Sequence, residues 1–298
     1  MPAASSSPIP AGLGQLAGSD PARPDDLPGL LDRLRRLPDP RRLRGRRHPL
    51  SYVLALAACA VLAGAKSLTA IAEWAADAPD QLLLHCGAAL RDPDRPYRAP
   101  SETTVRRVLQ RVDGDALDAA VGGWLTARVD ASRAADQDEY PPSGPVRAAV
   151  AVDGKSLRGA IRADGRRVHL LSALRDDGIV LAQREVDAKS NEITAFRPLL
   201  EPLDLTGAVV TFDALLTQTD HAKFLVEDKS AHYIAVLKGN HPTLHTLVKD
   251  LPWQDVPLMD RTRTAAHGRD GIRRLKAVTV PHLPFPHAGQ GPSLPTRR

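Results

Sequence analysis

Two aspartates stand where a carboxylate could do chemistry. Asp153 follows an apolar run in "VAVDGKSLRG", and Asp213 follows another in "VVTFDALLTQ". Short apolar runs bounded by turn signals read as buried strands. Two acids at the ends of central strands of one sheet would project from the same carboxyl edge. There they could hold divalent metal ions for hydrolysis or strand transfer at phosphodiesters. Mg²⁺ takes oxygen ligands and keeps several waters, so two or three acids suffice. The plain alternative is two strand-end residues making turn hydrogen bonds, and spacing alone leaves both readings open. A third idea, a phosphate-gripping loop around Gly154-Lys155-Ser156, fails on its own terms. It needs a glycine five positions before Gly154, and Ala149 stands there. Without that flexible turn the backbone amides cannot cradle a phosphate.

The elements that must position these acids come after a change of pattern. Residues 1–26 are rich in Pro, Ala, Ser and Gly and read as a disordered leader. Residues 27–130 carry helical spacing throughout, with Ser101 before Glu102 as a helix start and a break at Asp113-Gly114. Residues 131–146 are polar, with Pro and Gly at their end, and read as a linker. From 147 to 298 the period becomes strand-like. Three strands come in succession, then helix, strand, helix, strand and helix, which predicts a mixed sheet flanked by helices, an α/β domain after an all-α one.

Length and composition permit this. A chain of 298 residues has room for two domains, and 43% hydrophobic with 25% charged residues is ordinary for a chain that folds. The apolar stretch from Leu50 to Ala65 is alanine-rich and short of the ~20 strongly apolar residues of a membrane span, so it reads as a buried helix. Cys59 and Cys86 have no Cys-x-x-Cys spacing, which argues against a zinc site or a disulfide framework and suits a reducing cytoplasm. The start of the chain lacks the pattern of a signal peptide.

The net charge is only +5, a mild excess that fits an anionic partner without proving one. The densest basic run is Arg41, Arg42, Arg44, Arg46 and Arg47, either DNA-phosphate contacts or a solvated turn between helices. Lys155 sits two residues after Asp153, and Lys238 in "LKGN" ends a further strand at the same edge. Both are candidate phosphate contacts. His267, Arg269 and Arg273, in "HGRDGIRR", serve equally as phosphate contacts or as strand pairing. Asn191 and Glu192 read as a helix start with a capping role, and Gln218 as a residue facing the site or solvent.

The order of "AVDGKSLRGA", "HLLSAL", "KSNEITAFRPLLEPLDLTGAVVTFDALLTQ", "YIAVLKGN" and "HGRDGIRRLKAVTV" resembles the DDE transposases of the ISAs1 insertion-sequence family, the H-repeat-associated type. "LPDPRRLRGRRHPLSYVLAL" and "PSETTVRRVLQRVDGDAL" are similar to that family's associated helical domain. The resemblance runs over roughly residues 27 to 287. It implies an RNase H-like catalytic domain, two Mg²⁺ or Mn²⁺ ions in an intact member, and cleavage and joining of DNA at the element's ends. The first two acids carry over onto Asp153 and Asp213. It further implies DNA and a second copy of the chain as partners, no membrane, and a cytoplasmic, nucleoid-associated protein. The third acid of such enzymes would be expected in a Trp-x-Ile-Glu-Asn type motif downstream of "HGR". None follows here, because Trp74, Trp124 and Trp253 all stand earlier. Gly271 also stands where relatives carry a glutamate. The expectation is a catalytic domain incomplete at its C-terminus and impaired, or an inactive DNA-binding remnant that inhibits transposition.

Overall fold

The computed structural model describes residues 29–89, 97–139, 147–162, 164–186, 191–266, 269–293 and 296–297. The leader read at 1–26 and His267 lie outside them. The chain forms two compact units, residues 1–146 with 172–185, and residues 147–171 with 186–298.

Among the described residues of the first unit six α-helices follow one another: α1 (Leu30–Arg35), α2 (Leu50–Leu62), α3 (Leu68–Ala76), α4 (Asp80–His85), α5 (Glu102–Leu109) and α6 (Gly114–Glu139). Helix α2 is their spine because it is apolar on nearly every side. Val53, Leu54, Ala57 and Ala60 pack with Leu34, Ile71, Val105 and Val108. Tyr52 and Leu56, on another side, pack with Ala75, Leu83 and Cys86. An all-round apolar helix of this kind belongs in a core. At 13 residues it rises about 20 Å, well under a bilayer's ~30 Å hydrocarbon layer. No helix of the described residues is long and apolar enough to cross a membrane. Ser67 caps α3 by accepting a hydrogen bond from the Ala70 N–H at 3.1 Å. Asp113 does the same for α6 through Ala116, also at 3.1 Å. Burial pushes the Cys86 thiol up to about 12, so it packs as a small apolar group.

Two expectations change here. Helix α6 continues to Glu139, through the first half of the stretch read as a linker. The residues 131–139 include neither Pro nor Gly, and the first breaker is Pro141. The second change is one of extent: the described elements of 27–130 are helices, but the compact unit also takes in residues 172–185, which carry strand. Asp118 on α6 accepts the Gln183 N–H at 2.7 Å, and burial holds its carboxyl above the usual range. Arg175 donates to Asp130 at 2.7 Å and to Asp177 at 3.0 Å.

The strands are β1 (Ala149–Ile161), β2 (Arg167–Arg175), β3 (Val180–Val186), β4 (Val209–Phe212) and β5 (His232–Ala235). Their order in the sheet is β3-β2-β1-β4-β5. β1 pairs with β4, and β4 with β5, in parallel. The β1–β2 and β2–β3 neighbours are joined by four or five residues, too few for a parallel crossover, so they are antiparallel. This is the mixed sheet the pattern predicts, and it fits an RNase H-like arrangement. Helices α7 (Glu192–Leu200), α8 (Thr219–Lys223, continued by one π-helical turn to Asp228) and α9 (Pro242–Lys249) accompany it in the second unit. Phe196 of α7 meets Phe212 of β4 edge-on at 5.5 Å and stacks on His221 of α8 at 4.0 Å. A separate sheet holds β6 (Asp260–Ala266), β7 (Arg269–Thr279) and β8 (Gln290–Ser293), with β9 (Thr296–Arg297) also on β7.

Where α6 meets the β3 residues, a Cβ built on Gly122 would stand 2.8 Å from the Leu181 carbonyl oxygen. Gly122→Ala therefore tests this packing. Helix propensity alone would favour alanine by about 1 kcal/mol. The clash with backbone is expected to win, with a net loss of about 1–3 kcal/mol read as a lower urea midpoint.

Candidate active site

The two acids meet because of strand register. β1 and β4 pair from Ala149↔Val209 through Val152↔Phe212, and the next residue on each strand is an aspartate. Neighbouring strands lie about 4.8 Å apart, so Asp153 and Asp213 leave the ladder side by side. Val150, Val152, Val210 and Phe212 are all buried at 3% exposure or less, which fixes the face their alternate neighbours avoid. Asp153 is exposed and Asp213 half-buried. One detail differs from expectation: Asp153 is not at a strand end. β1 runs on to Ile161, and Asp153 marks the point where it outlasts its shorter partner β4.

The turn after β4 holds Asp213 firmly. Its Oδ1 accepts the Leu215 and Leu216 N–H groups at 2.9 and 3.1 Å. Thr217 Oγ1 lies 3.0 Å from the carbonyl oxygens of both Asp213 and Val236. Asn240 donates to the Ala214 carbonyl, and the His241 ring reaches the Thr217 carbonyl. The loops after β4 and β5 are thus stitched into one rim. Turn hydrogen bonding and a metal-ligand role are compatible here, because those bonds use one carboxylate oxygen and orient the other. The Asp153 side chain makes no hydrogen bond or ion pair with another of the described residues. Among those residues, too, no group of three or more His, Cys, Asp or Glu side chains is gathered to hold an ion. The edge offers two hard oxygen donors, a set that suits an ion retaining most of its waters.

The other candidates fall in several places. Lys155 is exposed and, two residues on, shares the Asp153 side of β1. Lys238 is exposed three residues past β5, and its carbonyl accepts the His241 N–H at 3.2 Å. Arg41 departs from the phosphate-contact expectation. Only 6% exposed, it grips Asp39 through Nε and Nη2 at 2.9 and 2.8 Å and donates to the His48 carbonyl at 2.8 Å. That guanidinium holds the Asp39 carboxyl below the usual range. Arg46 braces the same loop by donating to the Arg41 and Asp39 carbonyls. Arg42, Arg44, Arg46 and Arg47 are exposed. Arg269 and Arg273 belong to β7, opposite Ala266 and Thr262, and Arg273 is exposed. The same register sets Arg261 directly across from Arg274, two like charges on one face that the sequence pattern did not single out. Gln218 stays in the turn, donating to the Leu215 carbonyl at 3.0 Å. Glu192 does not cap its helix. It is 2% exposed, with Oε1 2.6 Å from His169 Nε2. No periodicity marks an acid as buried, and its position after Asn191 at a helix start pointed the other way.

A family model described as "DDE_Tnp_1-associated" matches residues 31–125, and the one described as "Transposase DDE domain" matches 144–282. "Uncharacterized protein in dhlA 3'region" of Xanthobacter autotrophicus is 35% identical over 217 residues, covering 72% of this chain and 66% of that protein. "Putative transposase YncI" of Escherichia coli K12 is 32% identical over 219 residues, covering 72% and 80%. "H repeat-associated putative transposase YbfD" of the same strain is 27% identical over 264 residues, covering 86% and 96%. The chain thus spans just under two thirds of the first of these relatives.

The helix behind the rim carries a pH-dependent element. Both ring nitrogens of His221 face carbonyl oxygens, Nδ1 that of Leu216 at 2.8 Å and Nε2 that of Ile193 at 3.0 Å. These contacts favour the imidazolium, but burial outweighs them and holds the pKa below the usual imidazole range. The unfolded chain then binds the extra proton more readily. The contribution is complete above about pH 6.5 and is lost as pH falls below that value. Urea midpoints measured from pH 7.5 to 5 should decline, and His221→Gln should flatten that decline.

Proposed function

Because the chain belongs to the DDE transposase family, we propose that Asp153 and Asp213 are the first two acids of its catalytic set and share a divalent ion, Mg²⁺ or Mn²⁺, at a DNA phosphodiester. The observation that carries this is the register Val152↔Phe212, which releases both carboxylates from one rung. When bound, the ion neutralises charge on the scissile phosphate and lowers the pKa of the attacking water or 3′-hydroxyl. The chain's own part is placement. Leu215 and Leu216 hold one Asp213 oxygen, the Thr217–Asn240–His241 stitches keep the rim rigid, and Lys155 and Lys238 offer charge to phosphate oxygens. The expected substrates are insertion-sequence ends of the ISAs1 type and their target, in a bacterial cytoplasm. Two carboxylates by themselves would hold the ion weakly, since most of its coordination is left to water.

A second reading, a DNA binder that does not cut and that competes with active transposase, is favoured by the braced loop at 39–48. Arg41 and Asp39 fix its shape, and it displays Arg42, Arg44 and Arg47 outward. Phosphate contacts of this kind make affinity depend on salt.

Cleavage of insertion-sequence end DNA in Mn²⁺ separates the two. On the first reading, Asp153→Asn and Asp213→Asn each lower the rate by about 100-fold or more, beyond the 10–100-fold that outer-shell partners of a metal cost. DNA affinity should stay within about twofold. On the second, wild type and variants are equally inactive. Independently, replacing Arg42, Arg44 and Arg47 together by Ala should reduce the slope of log affinity against log salt by about 2–3.

A further inference from the structure

Behind the aspartate edge, on the opposite side of β1, three polar side chains form one hydrogen-bonded line. Ser156 Oγ lies 2.8 Å from His169 Nδ1, and His169 Nε2 lies 2.6 Å from Glu192 Oε1. His169 on β2 is 7% exposed and Glu192 on α7 is 2% exposed. A carboxylate oxygen accepts the His169 Nε2–H, and the Ser156 hydroxyl can donate to or accept from Nδ1, so every member of the line has a partner. The carboxylate also rests on the backbone of β1 itself. A Cβ on Gly154 would fall 2.3 Å from Glu192 Oε1 and 2.6 Å from Oε2. Residue 154 must therefore be glycine for Glu192 to occupy its place, whatever the chain's φ there.

This contact falls where β1 most needs support. Pairing to β4 stops at Val152, so from Asp153 onward the strand has lost its neighbour on that side. A strand with one free flank twists and shifts more easily than one paired on both sides. Glu192 presses on the residue next to Asp153, and through His169 it holds Ser156 three residues on. The residue types match a nucleophilic triad, but Ser156 is mid-strand and not on the sharp turn that presents a nucleophilic serine.

We infer that Glu192, acting through Gly154 and the His169–Ser156 line, is a positioning residue that fixes Asp153 for metal binding. The inference rests on the reading of Asp153 as a metal ligand. Its test is Mn²⁺ binding by the 298-residue chain, followed by electron paramagnetic resonance and needing no turnover. Hydrogen exchange of the 150–157 segment is measured in parallel. Glu192→Ala should weaken Mn²⁺ binding about 10-fold or more and speed exchange in that segment, with the unfolding temperature of the rest of the unit retained. Glu192→Gln keeps an oxygen acceptor for His169 and should bind within about threefold of wild type. Should Glu192→Ala fail to fold, Ser156→Ala, which removes one exposed hydroxyl, should still speed exchange and weaken binding about threefold. Unchanged affinity and exchange in a folded Glu192→Ala or in Ser156→Ala overturns the inference, provided Asp153→Asn does lose the ion. If Asp153→Asn binds Mn²⁺ like wild type, the two-aspartate reading fails instead. If Glu192→Gln loses the ion as fully as Asp153→Asn, the carboxylate is a ligand and the positioning role is overturned.

Discussion

Four rungs of parallel pairing between β1 and β4 govern the site. They end at Val152↔Phe212, and both chains continue with aspartate. A shift of one residue in either strand would send one carboxylate to the buried face, where an ion pair or a proton would have to neutralise it. The register is held by what lies beneath: Val150, Val152, Val210 and Phe212 form a dry face, with Phe196 and His221 stacked behind it. Apolar packing thus decides the separation of two charged groups that it never touches.

The polar side chains near the edge add a second layer of constraint. The rim after β4 and β5 is closed by side chain-to-carbonyl bonds from Thr217, Asn240 and His241. The far side of β1 is closed by Ser156, His169 and Glu192. Buried polar lines of this sort hold a unique geometry when every member is satisfied and become costly when one is removed. The exposed Asp153 and the buried Glu192 therefore belong to one construction, one on the open face of β1 and the other facing the core.

Much of this was legible in the residues. "AVAVD" and "VVTFD" announce two buried strand segments each followed by an acid, and the run of three strands before alternating helices and strands gives the mixed sheet. The apolar stretch of α2 was readable as a core helix from its length. What escaped reading depended on contacts distant in sequence. Glu192 looked like a cap because it opens a helix, and only His169 and Gly154 explain its burial. Arg41 looked like its arginine neighbours until Asp39 and the His48 carbonyl enclosed it. The first half of the stretch read as a linker, to Glu139, belongs to α6 because polar composition marks exposure, not the end of a helix, and the first Pro comes only at 141. The β1 overhang past Asp153 was hidden for a similar reason, since strand length is set by the partner β2 and not by β4.

The most direct test of a shared ion is to locate it. Crystals of the 298-residue chain soaked in Mn²⁺, with diffraction collected at the manganese absorption edge, would place any bound ion by its anomalous signal. This account predicts a peak between the carboxylates of Asp153 and Asp213, absent from crystals of Asp153→Asn. A peak confined to another site, or none at the aspartates at millimolar Mn²⁺, would contradict it.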